Sequence, residues 1–323
     1  MIKNKDVIVI VATVVTVVLV CNLLTPFLYN NIPTDRYRTT LILNKIQEPG
    51  FSPDVVVFGS SEAMAGIDGY QMSKDLGLDV YNFSSTGQPQ EESSLYYSKL
   101  PSSTKAVIQV IYPPILKKDD ADAFNTLGEA IETAFIMGGY ELDDETQSIN
   151  NNVDLSGLKK NRFLVNFDAR GAIVIPGITY WLLPRDKKAY VDMKFCNSDL
   201  RERHAMYQRT LDQAARNTMA GKQLEWDTNS VVTTEEYATY LAGRGIKMYV
   251  VLMPKNPDNK RYTAEQMEAI AEVCKKGMPH AIVLNYLNII DDPSLFYDAE
   301  HLNHQGAKVL TDILDRDIKE AFI

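Results

Sequence analysis

Asp54-Val55-Val56-Val57-Phe58-Gly59 is a continuous apolar, β-branched run stopped by a glycine. A strand with one wet face alternates polar and apolar residues; an unbroken apolar run needs both faces covered, as in a parallel sheet flanked by helices. Two more short runs follow, Asp79-Val80-Tyr81-Asn82-Phe83 and Ala106–Ile111, with helical patterns between them. The order βαβαβ predicts an α/β fold with right-handed crossovers and a doubly wound parallel sheet. The rhythm resumes late in the chain. A helix is predicted near Thr234–Ala242, a strand over Lys247–Met253, a helix over about Ala264–Lys276, a short strand over Ala281–Leu284 and a last helix from near Gln305. Between them, residues of about 117–228 read as a helical insertion. Within it Thr126 and Glu129 have capping-box spacing, and Glu141–Asn152, acidic and asparagine-rich, reads as an exposed loop. The interfacial character of Ala172–Leu183, with Tyr180 and Trp181, suits either a buried kinked helix or contact with a membrane or partner.

Val7–Leu24 carries no charge. Its roughly 18 residues, at about 1.5 Å each, span roughly 27 Å, close to the apolar thickness of a bilayer. No small-x-small cleavage site follows, and Val20 before Cys21 is a poor lipoprotein site. The run therefore predicts one N-terminal transmembrane helix, a signal anchor over residues 1–29. Lys3 and Lys5 before it nearly balance Arg36 and Arg38 after it; the short leading tail favours the long domain outside. Residues 30–53, polar and broken by Pro33, Gly50 and Pro53, read as a stalk, and 54–323 as the folded domain.

A net charge of −9 and a pI of about 5.1 argue against a nucleic-acid binder, which needs a basic face to replace phosphate counterions. Three cysteines exclude a disulfide scaffold or a four-cysteine zinc site, and four histidines make a multi-histidine metal site an unpromising reading. No metal and no cofactor is expected, and a catalytic histidine is one of four.

In an open parallel sheet, reacting groups collect at the carboxyl ends of the strands. Gly59-Ser60-Ser61 stands at such an end, and Asp298-Ala299-Glu300-His301 precedes the last helix. A serine hydroxyl is a weak nucleophile until a base removes its proton; histidine does this near neutral pH, with a carboxylate fixing its tautomer. Each part alone has a plain structural reading: either serine can be a helix cap, and Asp-x-x-His can be solvated surface. His304 competes with His301 as the base, though its separation from Asp298 fits less well.

Serine after the first strand and Asp-x-x-His before the last helix together resemble the SGNH (GDSL-type) hydrolase superfamily. The resemblance covers about Asp54–Tyr112 and Lys247–Phe322. It implies a flavodoxin-like sheet, a nucleophile at Ser61 (third residue of Gly-x-Ser), a base at His301 and its partner at Asp298. It also implies an oxyanion hole from the N–H groups of Ser61 and Gly87. The family's asparagine donor after the third strand is missing, since that place reads Ile111-Tyr112-Pro113-Pro114. Gly59-Ser60-Ser61-Glu62 behind an anchor is similar to a membrane-bound branch that includes the lipoteichoic acid D-alanylation protein and alginate-type O-acetylation partners. That similarity implies a serine acyltransferase or esterase outside the cell membrane, acting on D-alanyl or acetyl esters of a cell-wall or exported polymer or glycan. It also implies a multi-spanning membrane O-acyltransferase as partner. The alternative is a non-catalytic partner that keeps the fold and docks on such an acyltransferase or on a glycan.

Overall fold

A computed structural model of the chain describes residues 4–31, 35–115, 144–149, 191–194, 196, 206–320 and 322. Five strands form one parallel sheet: β1 (Val55–Phe58), β2 (Val80–Asn82), β3 (Ala106–Val110), β4 (Lys247–Leu252) and β5 (Ala281–Asn285), in the order β2-β1-β3-β4-β5. The order reverses between β1 and β3, the switch point at which doubly wound sheets place their sites.

The helices are α1 (Asn4–Asn31), α2 (Asp35–Ile46), α3 (Ser61–Gly66), α4 (Gly69–Leu76), α5 (Gln90–Tyr97), α6 (Asp144–Ile149), α7 (Tyr207–Arg216), α8 (Thr228–Gly243), α9 (Ala264–Gly277) and α10 (His304–Lys319). Strand side chains alternate between two cores. Val56, Phe58, Val107, Met248 and Val250 face α2, α5, α8 and α9, whose Ile42, Tyr97, Leu241 and Ile270 are buried against them. Val55, Val57, Ile108, Tyr249 and Val251 face α3, α4 and α10, meeting Ala63, Met72, Leu310 and Leu314. Two covered faces are why the strands read as unbroken apolar runs. Burying each such valine or leucine contributes about 1.5–3 kcal/mol, so the sheet is the main source of stability.

The insertion leaves after β3 and returns before α8. Its two ends meet, with Ile115 and Trp226 forming an antiparallel bridge and Asp227 N–H donating to Pro114 O at 2.9 Å. One stretch of it covers the β2 edge, where Asn82 N–H donates to Met193 O at 2.6 Å. Thr126, Glu129 and Ala172–Leu183 lie outside the described residues.

Two expectations need correcting. Residues 35–46, expected as part of a polar stalk, form α2 and pack on the sheet with Ile42, Leu43 and Ile46 buried. These apolar residues at i, i+1 and i+4 share one helix face, and polar neighbours hide them in a linear reading. Within Glu141–Asn152, expected as a loop, Asp144–Ile149 is helical, with Asp144 and Glu145 in its first turn, where acidic groups favour the helix dipole. Asp144, Glu145 and Ser148 are exposed, as that reading required. The N-terminal apolar run lies on α1, whose described side chains from Val7 to Val20 are 46–67% exposed where they are large and apolar. Among the described residues no helix is long and apolar enough to cross a membrane.

Candidate active site

β1 ends at the switch point, and the chain must turn sharply into α3. Gly59 makes that turn at φ +146°, where a Cβ would stand 2.7 Å from Val110 Cβ and 3.0 Å from Ala63 Cβ. Only glycine fits both the backbone and the space. The two serines that follow have different surroundings. Ser60 is buried and caps α3, its Oγ accepting from Glu62 N–H at 3.4 Å. Ser61 opens α3, and its hydroxyl lies 2.8 Å from His301 Nε2, across 240 positions of sequence.

Asp298 shapes the turn that carries the imidazole. Its Oδ1 accepts from the N–H groups of Glu300 and His301, each at 2.8 Å. The His301 ring nitrogen Nδ1 lies 3.0 Å and 3.1 Å from the two carboxylate oxygens. With Nδ1–H donating to the carboxylate, Nε2 is left as the acceptor for the serine hydroxyl. His304 begins α10 instead, with its Nδ1 buried and without a hydrogen-bond partner, and takes no part in this relay.

The turn is braced from two sides. After β4, Asn256 Nδ2 donates to Asp298 O at 3.0 Å and to the Tyr207 hydroxyl at 2.7 Å, and Asn259 Nδ2 donates to Ala299 O at 3.0 Å. From α7, Thr210 Oγ1 accepts from Ala299 N–H at 3.2 Å. The insertion therefore supports the base directly.

Burial penalises the imidazolium, but the hydrogen bond and charge of Asp298, with the charges of Glu62 and Glu300, outweigh it, and the His301 pKa is raised above 6.5. For Asp298, burial acts upward, while bonding to His301 and to the two N–H groups holds the carboxyl below its ordinary value. Asp298 thus stays ionised, and His301 accepts a proton only once its own proton is lost. The rate of Ser61 acylation should rise with pH through a midpoint above 6.5, read from kcat/KM for a small ester between pH 5 and 9. A midpoint at or below 6.5 would mean that desolvation, not Asp298, dominates at the ring.

Beside the nucleophile, Lys255 Nζ and Glu62 Oε1 form an ion pair at 2.5 Å, with side chains only 6% and 3% exposed. Tyr112, after β3, is half exposed, and its hydroxyl end feels the charges of Glu62 and Lys255; burial and Glu62 raise its pKa, so it remains a protonated donor. It stands where the resemblance expects an asparagine. Gly87 lies exposed in the turn after β2 at φ +71°. That turn is fastened to the nucleophile turn by Ser85 N–H to Gly59 O at 3.1 Å and Gly59 N–H to Gln88 Oε1 at 2.9 Å. Ser61 N–H, in the first turn of α3, is among the donors that an α-helix leaves without an internal partner.

Arg38, fully buried on α2, donates to Asn82 O at 2.6 Å and to Ser84 O, while Asn82 Nδ2 donates to Ala63 O and Ile67 O at 3.1 and 2.9 Å. Hydrogen bonds thus run from α2 through the β2 turn into the nucleophile helix. A cavity of about 490 Å³ opens beside this assembly, walled by Gln88, Tyr112, Lys255, Arg261 and Glu300 among others.

The structure brings Ser61, His301 and Asp298 of the sequence reading together, and places Gly87 in the turn bonded to the Gly59 turn. Sequence reading missed Arg38, Gln88, Lys255, Asn256 and Asn259, single polar residues in loops and on a helix with no spacing signal between them. Among the described residues no group of three or more His, Cys, Asp or Glu is placed to hold a metal ion. Comparison of the sequence with protein-family models and with curated proteins finds no match.

Proposed function

We propose that this chain is an SGNH-type serine acyltransferase or esterase, held at the outer face of a cell membrane and acting on O-acyl groups of a cell-wall or exported polymer. The hydrogen-bonded series Ser61–His301–Asp298 carries this reading. A serine, an imidazole and a carboxylate in line, at the carboxyl end of a parallel sheet, are what acyl transfer through a covalent intermediate requires.

In the first step Ser61 Oγ attacks the acyl carbonyl carbon while His301 Nε2 takes the hydroxyl proton. The carbonyl oxygen gains negative charge, which the N–H groups of Ser61 and Gly87 stabilise. The C–O bond to the leaving group breaks, His301 returns the proton to that oxygen, and an acyl-Ser61 ester remains. Water or a polymer hydroxyl then repeats the sequence on the acyl-enzyme, so hydrolysis and transfer share one machinery. The acyl group is D-alanyl or acetyl, delivered by a multi-spanning membrane O-acyltransferase or already present on the polymer. The anchor rests on α1, whose exposed valines form an apolar surface that an aqueous phase does not favour.

A second reading is favoured by one observation: Tyr112-Pro113-Pro114 replaces the asparagine donor, and losing one such donor costs about 10²–10³-fold in rate. On that reading the chain is a non-catalytic partner of an acyltransferase or glycan. A fluorophosphonate probe separates the two. The enzyme should label, Ser60→Ala should still label, and Ser61→Ala should not. An intact chain that refuses the probe sinks the enzyme reading in favour of the partner.

A further inference from the structure

α4 and α10 pack against each other through Met72, Leu310 and Leu314, and polar bonds join them along the first half of each. Asp68 N–H donates to Thr311 Oγ1 at 3.1 Å. Gln71 Nε2 donates to Lys308 O at 3.2 Å and to Asp312 Oδ1 at 2.5 Å. One turn beyond Thr311 the pattern fails. Asp315 is buried, and neither of its carboxyl oxygens has a hydrogen-bond partner among the described residues. A carboxylate held in that way is costly; a neutral carboxyl is far less so.

The neighbouring charges add to the cost. Asp75, Asp312 and Asp68 all act against ionisation of Asp315, while Lys319, one turn further along α10, favours it more weakly. Ionisable groups of the other elements packed on α10 are engaged elsewhere. Glu62 of α3 pairs with Lys255, and Asp292 accepts from Ser294 N–H at 2.8 Å. Tyr286 and Arg316 both donate to Asp317, and Lys74 of α4 is exposed. Burial first, and then the like charges, push the Asp315 carboxyl up to about 7, against about 3.9 for an unperturbed aspartate.

We propose that Asp315 is a pH-sensitive latch between α4 and the C-terminal half of α10, closed in mild acid while the carboxyl is neutral and loosened as it ionises. The other end of α10 is fastened independently. Asn303 Oδ1 accepts from the N–H groups of Gln305 and Gly306, each at 3.0 Å, and Asn303 Nδ2 donates to Ser294 O at 2.7 Å. Loosening is therefore confined to the part of α10 beyond Thr311, away from the turn that carries His301. The latch does not rest on the acyl-transfer reading. Between about pH 4 and 7 the folded chain keeps a proton that the unfolded chain has released. Stability from this group accordingly falls as pH rises through that interval and is level above it.

Urea unfolding of the full chain in detergent, at pH 5 and pH 8, reads the latch. Across that interval the unfolding equilibrium constant of the parent should rise about 100-fold relative to that of Asp315→Asn, which stays neutral. The ratio cancels groups that titrate in both chains, His301 included. Asp315→Leu is a second neutral variant with the same expectation. Glu320→Gln, exposed just past the helix, should keep the parent's pH dependence. Hydrogen exchange of the parent needs no variant. After correction for the intrinsic rate, protection over residues 312–319 should drop about tenfold from pH 6 to pH 8, and less over residues 308–311. A pH dependence shared by the parent and the neutral variants overturns the latch. So does protection that is unchanged over 312–319, or lost equally along the whole helix. If neither neutral variant folds, exchange in the parent decides.

Discussion

His301→Ala is expected to slow acylation of Ser61 by about 10⁶-fold, and Asp298→Ala by about 10⁴-fold, when p-nitrophenol release is followed at pH 8. The two losses differ because the residues act at different removes. Without the imidazole the hydroxyl loses the base that stands 2.8 Å from it, and a neutral serine is a poor nucleophile. Without the carboxylate the imidazole remains, but its tautomer and orientation are no longer held and the imidazolium is no longer stabilised. The Asp298 variant also loses the two N–H bonds that shape the turn. Asp298→Asn therefore serves as a milder companion that retains an oxygen acceptor there. His304→Ala should leave the rate within about twofold, since its ring has no part in the relay. Equal losses at His301 and His304, or a loss at His301 of under about tenfold, would remove the basis for an activated serine.

Lys255→Ala should destabilise the fold by about 3–5 kcal/mol, measured as a lower urea midpoint for the full chain in detergent. The cause is the carboxylate left behind. Glu62 is only 3% exposed and meets the Lys255 ammonium at 2.5 Å; with the ammonium gone, water cannot readily replace it. Burial acts to lower the Lys255 pKa, but the charges of Glu62 and Glu300 and the bond to Glu62 more than reverse this, so the ammonium is held above its ordinary pKa. The double variant Lys255→Met/Glu62→Leu should regain most of the loss, because apolar side chains of similar volume often replace a buried pair without cost. Since Glu62 follows Ser61 directly, the single variant should also lower acylation; the double variant reports how much of that effect is positional. A urea midpoint unchanged in Lys255→Ala would show that the carboxylate finds another partner or enough solvent.

Much of the scaffold was legible because it obeys local rules. Val55–Phe58, Ala106–Val110 and Lys247–Leu252 announce themselves as apolar runs, since each is covered on both faces. Gly59-Ser60-Ser61 and Asp298-x-x-His301 stood out from their places relative to strand and helix ends, and only the resemblance pointed to Ser61 over Ser60. By contrast, α2 was misread because three apolar residues among polar ones make only one buried face, which needs a partner surface to be recognised. The Lys255–Glu62 pair left no trace either: two charged residues 193 positions apart carry no mutual signal in a linear chain.

The order of elements, the apolar faces of the strands and the residue types able to activate a serine were determined by the sequence alone, because periodicity and turn chemistry act over a few neighbouring residues. Which serine faces the imidazole, which histidine reaches it, and which loops hold both in place were decided only by the tertiary structure. Those choices depend on distances of about 3 Å between groups far apart in the chain, and only the packing of helices on both faces of the sheet sets such distances.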